Sequence, residues 1–212
     1  MHIEFLVEEP SAEAALRNLV PRILGNAATF DVHTHGGKSD LLAKLPHRLC
    51  GYRKWIPADW RIVVLLDEDR ADCRAAKREL EDYARKARLE TRASVKAGKP
   101  YLVVNRLAVE ELEAWFFGDV PAVVAAYPGV SPTLDKQAKY RKPDAIRGGT
   151  WEQLERVLQR AGYYSGGLPK IETARTISEH MEPDRNTSKS FQVFRDALRM
   201  LAPNPMQKPA FP

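Results

Sequence analysis

RIVVLLDED, residues 61–69, is the stretch whose reading decides the fold. Ile62 to Leu66 are apolar at every position, which a strand tolerates only when both of its faces are covered, as in the centre of a parallel sheet flanked by helices. The run then stops in acids. A second apolar run, HIEFLVE at residues 2–8, stops as abruptly in Glu8-Glu9-Pro10-Ser11 and predicts a strand followed by a helix with Ser11 as its N-cap. Ala14, Leu16, Leu19, Val20, Ile23 and Leu24 recur at helical spacing, and Gly25 closes that helix.

Working outward, a strand is expected near Thr29–His33. A Gly36-Gly37 turn then leads into a helix carrying Leu41, Leu42, Leu45 and Leu49, which Pro46 should interrupt. Ala71–Ala87 is charged and helix-prone, and Pro100 introduces an apolar strand at Tyr101–Val104. Strands alternating with helices imply an α/β fold with a mostly parallel sheet flanked by helices. After it the texture changes. VEELEAWFFGDVPAVVAAYPGV (109–130) predicts two short helices, and a Pro, Gly and Lys-rich stretch follows from Pro128 to Thr150. A soft boundary is placed there, giving an α/β domain at residues 1–131 and a C-terminal helical lobe at 132–212. The lobe has three helix candidates, at 150–164, 169–181 and 188–201, and an irregular tail, APNPMQKPAFP.

The chain has 212 residues and a net charge of +5. Residues 1–131 balance at 19 basic and 19 acidic side chains, whereas 132–212 hold 14 basic against 9 acidic. Much of the excess lies in KQAKYRKPDAIR, residues 136–147, where Lys139, Arg141 and Lys142 surround Tyr140. Such a strip can neutralise phosphates and offer a stacking face, although a solvated loop has the same composition. No apolar run approaches the roughly 18 residues of a membrane span, and the early acids Glu4, Glu8 and Glu9 argue against a signal peptide. Two cysteines, Cys50 and Cys73, make no disulfide framework, so the cytoplasm is the expected compartment.

The chemistry is expected where the strands end, because ligands of open α/β sheets bind at the carboxyl ends of the strands. Glu8 and Glu9 follow the first strand, and Asp67 and Asp69 follow the third. If those strands are neighbours, their carboxylates meet and suit a hard cation such as Mg²⁺ or Mn²⁺. Asp67 and Asp69 alternate on an extended segment and can share an ion. Acids also end strands simply because loops are exposed and helix N-termini favour anions. His33 and His35 flank a turn without a spaced third ligand and are taken as polar loop residues. GGKS around Lys38 lacks phosphate-loop spacing. Cys73 has no base placed beside it and is expected to be buried.

VEEPS and LLDED resemble the Glu and Asp-x-Asp motifs of the TOPRIM domain of topoisomerases, primases and OLD-family nucleases. More extensively, FLVEEPSAEAALRNLVPRIL (5–24), HGGKSDLL (35–42), VVLLDEDRADC (63–73), ELEAW (111–115) and SKSFQVF (188–194) resemble the prokaryotic family named domain of unknown function 4276. This resemblance covers nearly the whole chain. It departs at Glu9, where TOPRIM proteins commonly have Gly.

The resemblance implies a TOPRIM-like fold and a Mg²⁺- or Mn²⁺-dependent nuclease that hydrolyses phosphodiesters of DNA or RNA. It further implies an effector working with a separate ATPase subunit in phage defence. Glu8, Asp67 and Asp69 are then the expected metal ligands and catalytic groups, with Glu113 of ELEAW near the site. Trp115 beside it is expected to be core. Lys139, Arg141, Lys142 and Lys170 are the expected substrate contacts, while Ser188 and Ser190 are taken as caps of the last helix. No membrane partner is expected, and a homo-oligomer stays open. Two alternatives remain: a non-catalytic interaction subunit that keeps the fold, and a receiver-like Mg²⁺-binding signalling domain. The Asp67-Glu68-Asp69 cluster and the long C-terminal region count against the latter.

Overall fold

Two apolar strands that must be covered on both faces require a neighbour on each side and helices above and below. The computed structural model, which describes residues 1–68, 72–96 and 99–201, meets that requirement. Strands β1 (His2–Val7), β2 (Thr29–Thr34), β3 (Trp60–Asp67) and β4 (Val103–Ala108) form one sheet in the order β2-β1-β3-β4, and every pairing is parallel. The two apolar strands lie in the middle. Because β2 and β3 lie on opposite sides of β1, the strand order reverses between β1 and β3. Crevices open at such a switch point, outside the carboxyl ends of the strands.

Alternation along β1 assigns the faces. Ile3, Phe5 and Val7 pack with Leu16 and Leu19 of α1 (Pro10–Leu24). Leu6 points the other way, with Ile62, Val64 and Leu66 of β3, against Leu41, Leu45 and Leu49 of α2 (Lys38–Trp55) and Leu80 of α3 (Cys73–Lys86). The α1 face is thickened by α4 (Glu113–Phe117), α5 (Val120–Ala126), α6 (Thr150–Arg160), α7 (Lys170–Ser178) and α8 (Lys189–Leu201). Leu154, Ile177, Phe191 and Phe194 belong to the same apolar cluster as Ile3 and Phe5, so packing runs without a break across residue 131. Asn18 and Arg22 of α1 add hydrogen bonds to the carbonyls of Arg175 and Met181. Among the described residues, no helix is long and apolar enough to cross a membrane.

Several local expectations are corrected. Helix α1 begins at Pro10, so Glu9 rather than Ser11 is its N-cap. Pro suits a first helical position, where the missing N–H would have no partner anyway. Helix α2 continues through Pro46, because burial of Leu41, Leu45 and Leu49 on both sides of it outweighs the one lost backbone bond. Strand β4 starts at Val103 and runs on through polar Asn105 and Arg106. His33 lies within β2, and Cys73 is exposed.

Candidate functional site

The parallel pairing of β1 with β3 brings Glu8 and Asp67 together at the switch point. Glu8 is almost fully buried, and its Oε1 accepts the Asp67 backbone N–H at 2.8 Å. The Gly37 N–H donates to the Glu8 carbonyl at 3.1 Å, which ties the start of α2 to the same rim. Gly37 has φ +94°, a left-handed conformation that favours glycine, and it directs Lys38 inward. Lys38 Nζ donates to the carbonyls of Asp67 at 2.7 Å and Glu68 at 3.0 Å.

The result is a crevice of about 180 Å³ whose lining includes Glu8, Glu9, Lys38, Asp67, Glu113 and Lys170. Glu9 sits beside Glu8 because extended alternation ends at Val7, where the chain turns into α1. Its carboxylate lies 3.8 Å from Lys170 Nζ. Lys170, at the first position of α7, is further held over the Trp151 ring at 5.0 Å. Glu111, also in the lining, accepts the N–H groups of Thr150 at 2.8 Å and Trp151 at 2.9 Å, capping α6 from outside. Glu110 just before it has φ +62°, a conformation uncommon for a residue with a side chain.

Glu113 is the electrostatic signature of the crevice. Burial pushes its carboxyl up to about 7; Lys170 opposes that shift, and Glu111 and Glu9 reinforce it. A buried carboxyl facing other acids favours the proton, or a cation in its place. The oxygens of Glu8, Asp67 and Glu113 are the donor type that a hard divalent ion takes, so the lining fits Mg²⁺ or Mn²⁺.

A second cavity, about 640 Å³, opens at the end of β4 between α3 and α8. Among the described residues, its lining includes Arg74, Lys77, Arg78, Arg106 and Lys189, with Asp144 as the one acid. Burial first, then repulsion from Arg106, holds Lys77 below the usual lysine range, and burial likewise lowers Arg106. The Arg106 Nε is buried, and among the described residues it has no hydrogen-bond partner. Asp144 caps α8 together with Ser188, whose Oγ accepts the Phe191 N–H at 3.2 Å. Lys77 lies 3.6 Å from Glu81 and Arg78 3.9 Å from Asp72, so the groove is rich in cations that are only partly paired.

Of the expected site residues, Glu8, Asp67, Glu113 and Lys170 come together in the crevice, and Asp69 lies outside the described residues. Lys139, Arg141 and Lys142 are exposed and line neither cavity, although Asp144 in the same basic strip reaches the groove. Trp115 is core: fully buried, it donates from Nε1 to Ser190 Oγ at 3.0 Å and packs on Phe191 and Phe194. Lys38 and the α3 cations were not expected at a site. HGGKS did announce a turn-borne lysine, but the charge on α3 looks like any solvated helix face. The family model described as domain of unknown function (DUF4276) matches residues 7–199. No curated protein and no solved structure matches the chain.

Proposed function

From the premise that the chain belongs to the domain of unknown function 4276 family, we propose that it is a Mg²⁺- or Mn²⁺-dependent nuclease built on a TOPRIM-like fold. The observation that carries this reading is the pairing of two cavities of opposite charge at the carboxyl rim of the sheet. One is an acidic crevice at the switch point, and the other is a cationic groove that opens beside Val109. A phosphodiester undergoing hydrolysis needs both, a cation at the reacting phosphate and positive charge along the flanking backbone.

Glu8, Asp67 and Asp69 would hold the ion. When bound, the ion would polarise the phosphate and lower the pKa of a water. Glu8, held rigid by the Asp67 N–H, is placed to accept a proton from the attacking water. Glu113, with a carboxyl pushed up to about 7, can hold or release a proton near neutral pH. Lys170 steadies the negative charge of the scissile group. Arg74, Lys77, Arg106 and Lys189 bind the neighbouring phosphates, and the strip at Lys139, Arg141 and Lys142 extends that surface. The same reading makes the protein a cytoplasmic effector served by a separate ATPase subunit.

The test is Mn²⁺-dependent cleavage of plasmid, oligonucleotide and tRNA substrates, with Glu8→Gln and Asp67→Asn scored beside the parent. Each variant should lose roughly a hundredfold or more of the rate. Undiminished cleavage in both overturns the assignment. One observation favours the reading of a non-catalytic interaction subunit: the ammonium groups of Lys38 and Lys170 already lie among the carboxylates. A parent whose melting temperature ignores millimolar Mg²⁺ and Mn²⁺ would select that reading.

A further inference from the structure

The opposite end of the sheet holds a cluster that the proposed nuclease does not use. His2 and Glu4 alternate along β1 and share one face; the β1–β2 register sets Asp31 beside Glu4 on that face. Ligand atoms, one each from His2, Glu4 and Asp31, lie within 4.8 Å of one another. His2 Nε2 is 3.1 Å from Glu4 Oε1 and 3.7 Å from Asp31 Oδ2. Donors about 2.0–2.2 Å from a tetrahedral ion are roughly 3.3–3.6 Å apart, so these atoms are already near the spacing of ligands around one ion.

Each ligand is oriented from behind. His2 Nδ1 is 2.8 Å from Thr29 Oγ1, and the Trp60 ring packs on the imidazole at 4.1 Å between centroids. With its ring proton on Nδ1 alone, His2 would give up its hydrogen bond to Glu4 and present the Nε2 lone pair to an ion, the arrangement in which an outer hydrogen bond fixes the tautomer of a metal-bound imidazole. Glu4 is held at its other oxygen, where Tyr52 OH donates to Oε2 at 2.8 Å and His33 Nε2 makes a second close contact. That leaves Oε1 for the ion. Asp31 is exposed and opens the set to solvent, so water can complete the coordination.

The geometry points to a second metal site, His2–Glu4–Asp31, for a borderline transition dication such as Zn²⁺. One imidazole nitrogen and two carboxylates suit Zn²⁺ better than Mg²⁺, which prefers oxygen alone and keeps its water. The ion would clamp β2 to β1. β2 has a strand neighbour on one side only, and none of its residues is fully buried, so cross-strand ligation adds what packing does not supply.

The experiment uses the tag-free full chain, stripped with chelator and titrated with Co²⁺, whose visible absorption reports protein ligation. The parent should bind about one Co²⁺ per chain with a visible band that Zn²⁺ displaces, and Zn²⁺ should raise the melting temperature. His2→Gln should abolish the band. Asp31→Asn, at an exposed side chain whose loss leaves the fold intact, should weaken binding by tenfold or more. Thr29→Val should cost roughly 10–100-fold through the lost outer hydrogen bond. Asp67→Asn, at the other end of the sheet, should leave the band unchanged. No band in the parent, or a band that survives both His2→Gln and Asp31→Asn, overturns the site. A band lost only in Asp67→Asn would place the ion in the crevice instead.

Discussion

Glu4 and Glu113 are both buried glutamates near the same sheet, one toward each end of its strands, and their carboxyls move in opposite directions. Burial alone would raise both. At Glu4 the hydrogen bonds from Tyr52, His33 and His2 outweigh burial and hold the group below its ordinary value. At Glu113 burial wins, and with Glu111 and Glu9 nearby the carboxyl reaches about 7. Donors decide the matter: an acid supplied with them is a fixed charge, while an acid facing other acids asks for a proton or a cation. The basic groove repeats the second pattern with the sign reversed, since burial lowers Lys77 and Arg106 and, among the described residues, no acid pairs with Arg106 Nε. In the metal-free protein Glu4 is therefore settled by its donors. The opposite end of the sheet is poised for ligands of both signs.

The largest effect that would break this comparison is expected at Glu113 in metal-free protein. Its folded pKa lies above the unfolded value, so the native state holds the extra proton. The stability it contributes is complete below about pH 4.5 and is lost as pH rises through about 7. Glu113→Gln should therefore match the parent near pH 4.5 and exceed it at pH 8 by on the order of 3 kcal/mol, read by urea denaturation. A variant weaker than the parent at pH 8 would mean the ionised group is already compensated. Next in size, Glu4→Gln should destabilise by about 2 kcal/mol at pH 7, because Tyr52, His33 and His2 would then face an amide. Opposite signs at pH 8 for the same chemical change are the signature; equal signs would erase the distinction between the two ends.

Much of this was legible in the sequence. The apolar runs at 2–7 and 62–66, each ending in acids, gave both central strands and the two carboxylates that meet between them. What escaped depended on tertiary partners. Asn105 and Arg106 made β4 look finished at Val104, yet Asn105 Nδ2 donates to Glu81 on α3 at 3.0 Å, and Arg106 lines the groove. The His2–Glu4–Asp31 set was written in the alternation of HIE and DVH, but only the β1–β2 register makes it one cluster. Helix α2 passed through Pro46 because local propensity yielded to the leucines buried on both sides.

The smallest effect tests how Glu4 is held. Tyr52 OH donates to Glu4 Oε2 at 2.8 Å, and burial together with the Glu4 charge pushes the phenol above its usual range, so it remains a donor throughout the stable pH range. Tyr52→Phe keeps the ring against Trp55 and removes one of three donors. In chelated protein the cost at pH 7 should be about 1–1.5 kcal/mol, the worth of a hydrogen bond to a charged group less what the two imidazoles retain. The pH dependence is the sharper reading. A carboxyl held below its ordinary value stabilises the fold above the unfolded pKa, and that stability is lost as pH falls through the folded pKa. With one donor fewer the Glu4 carboxyl rises, and the acid limb of the stability profile should shift to higher pH. If Tyr52→Phe costs nothing at pH 7 and the acid limb stays where it was, the imidazoles alone hold the charge. Glu4 would then lose its anchoring as soon as His2 turned to a metal ion.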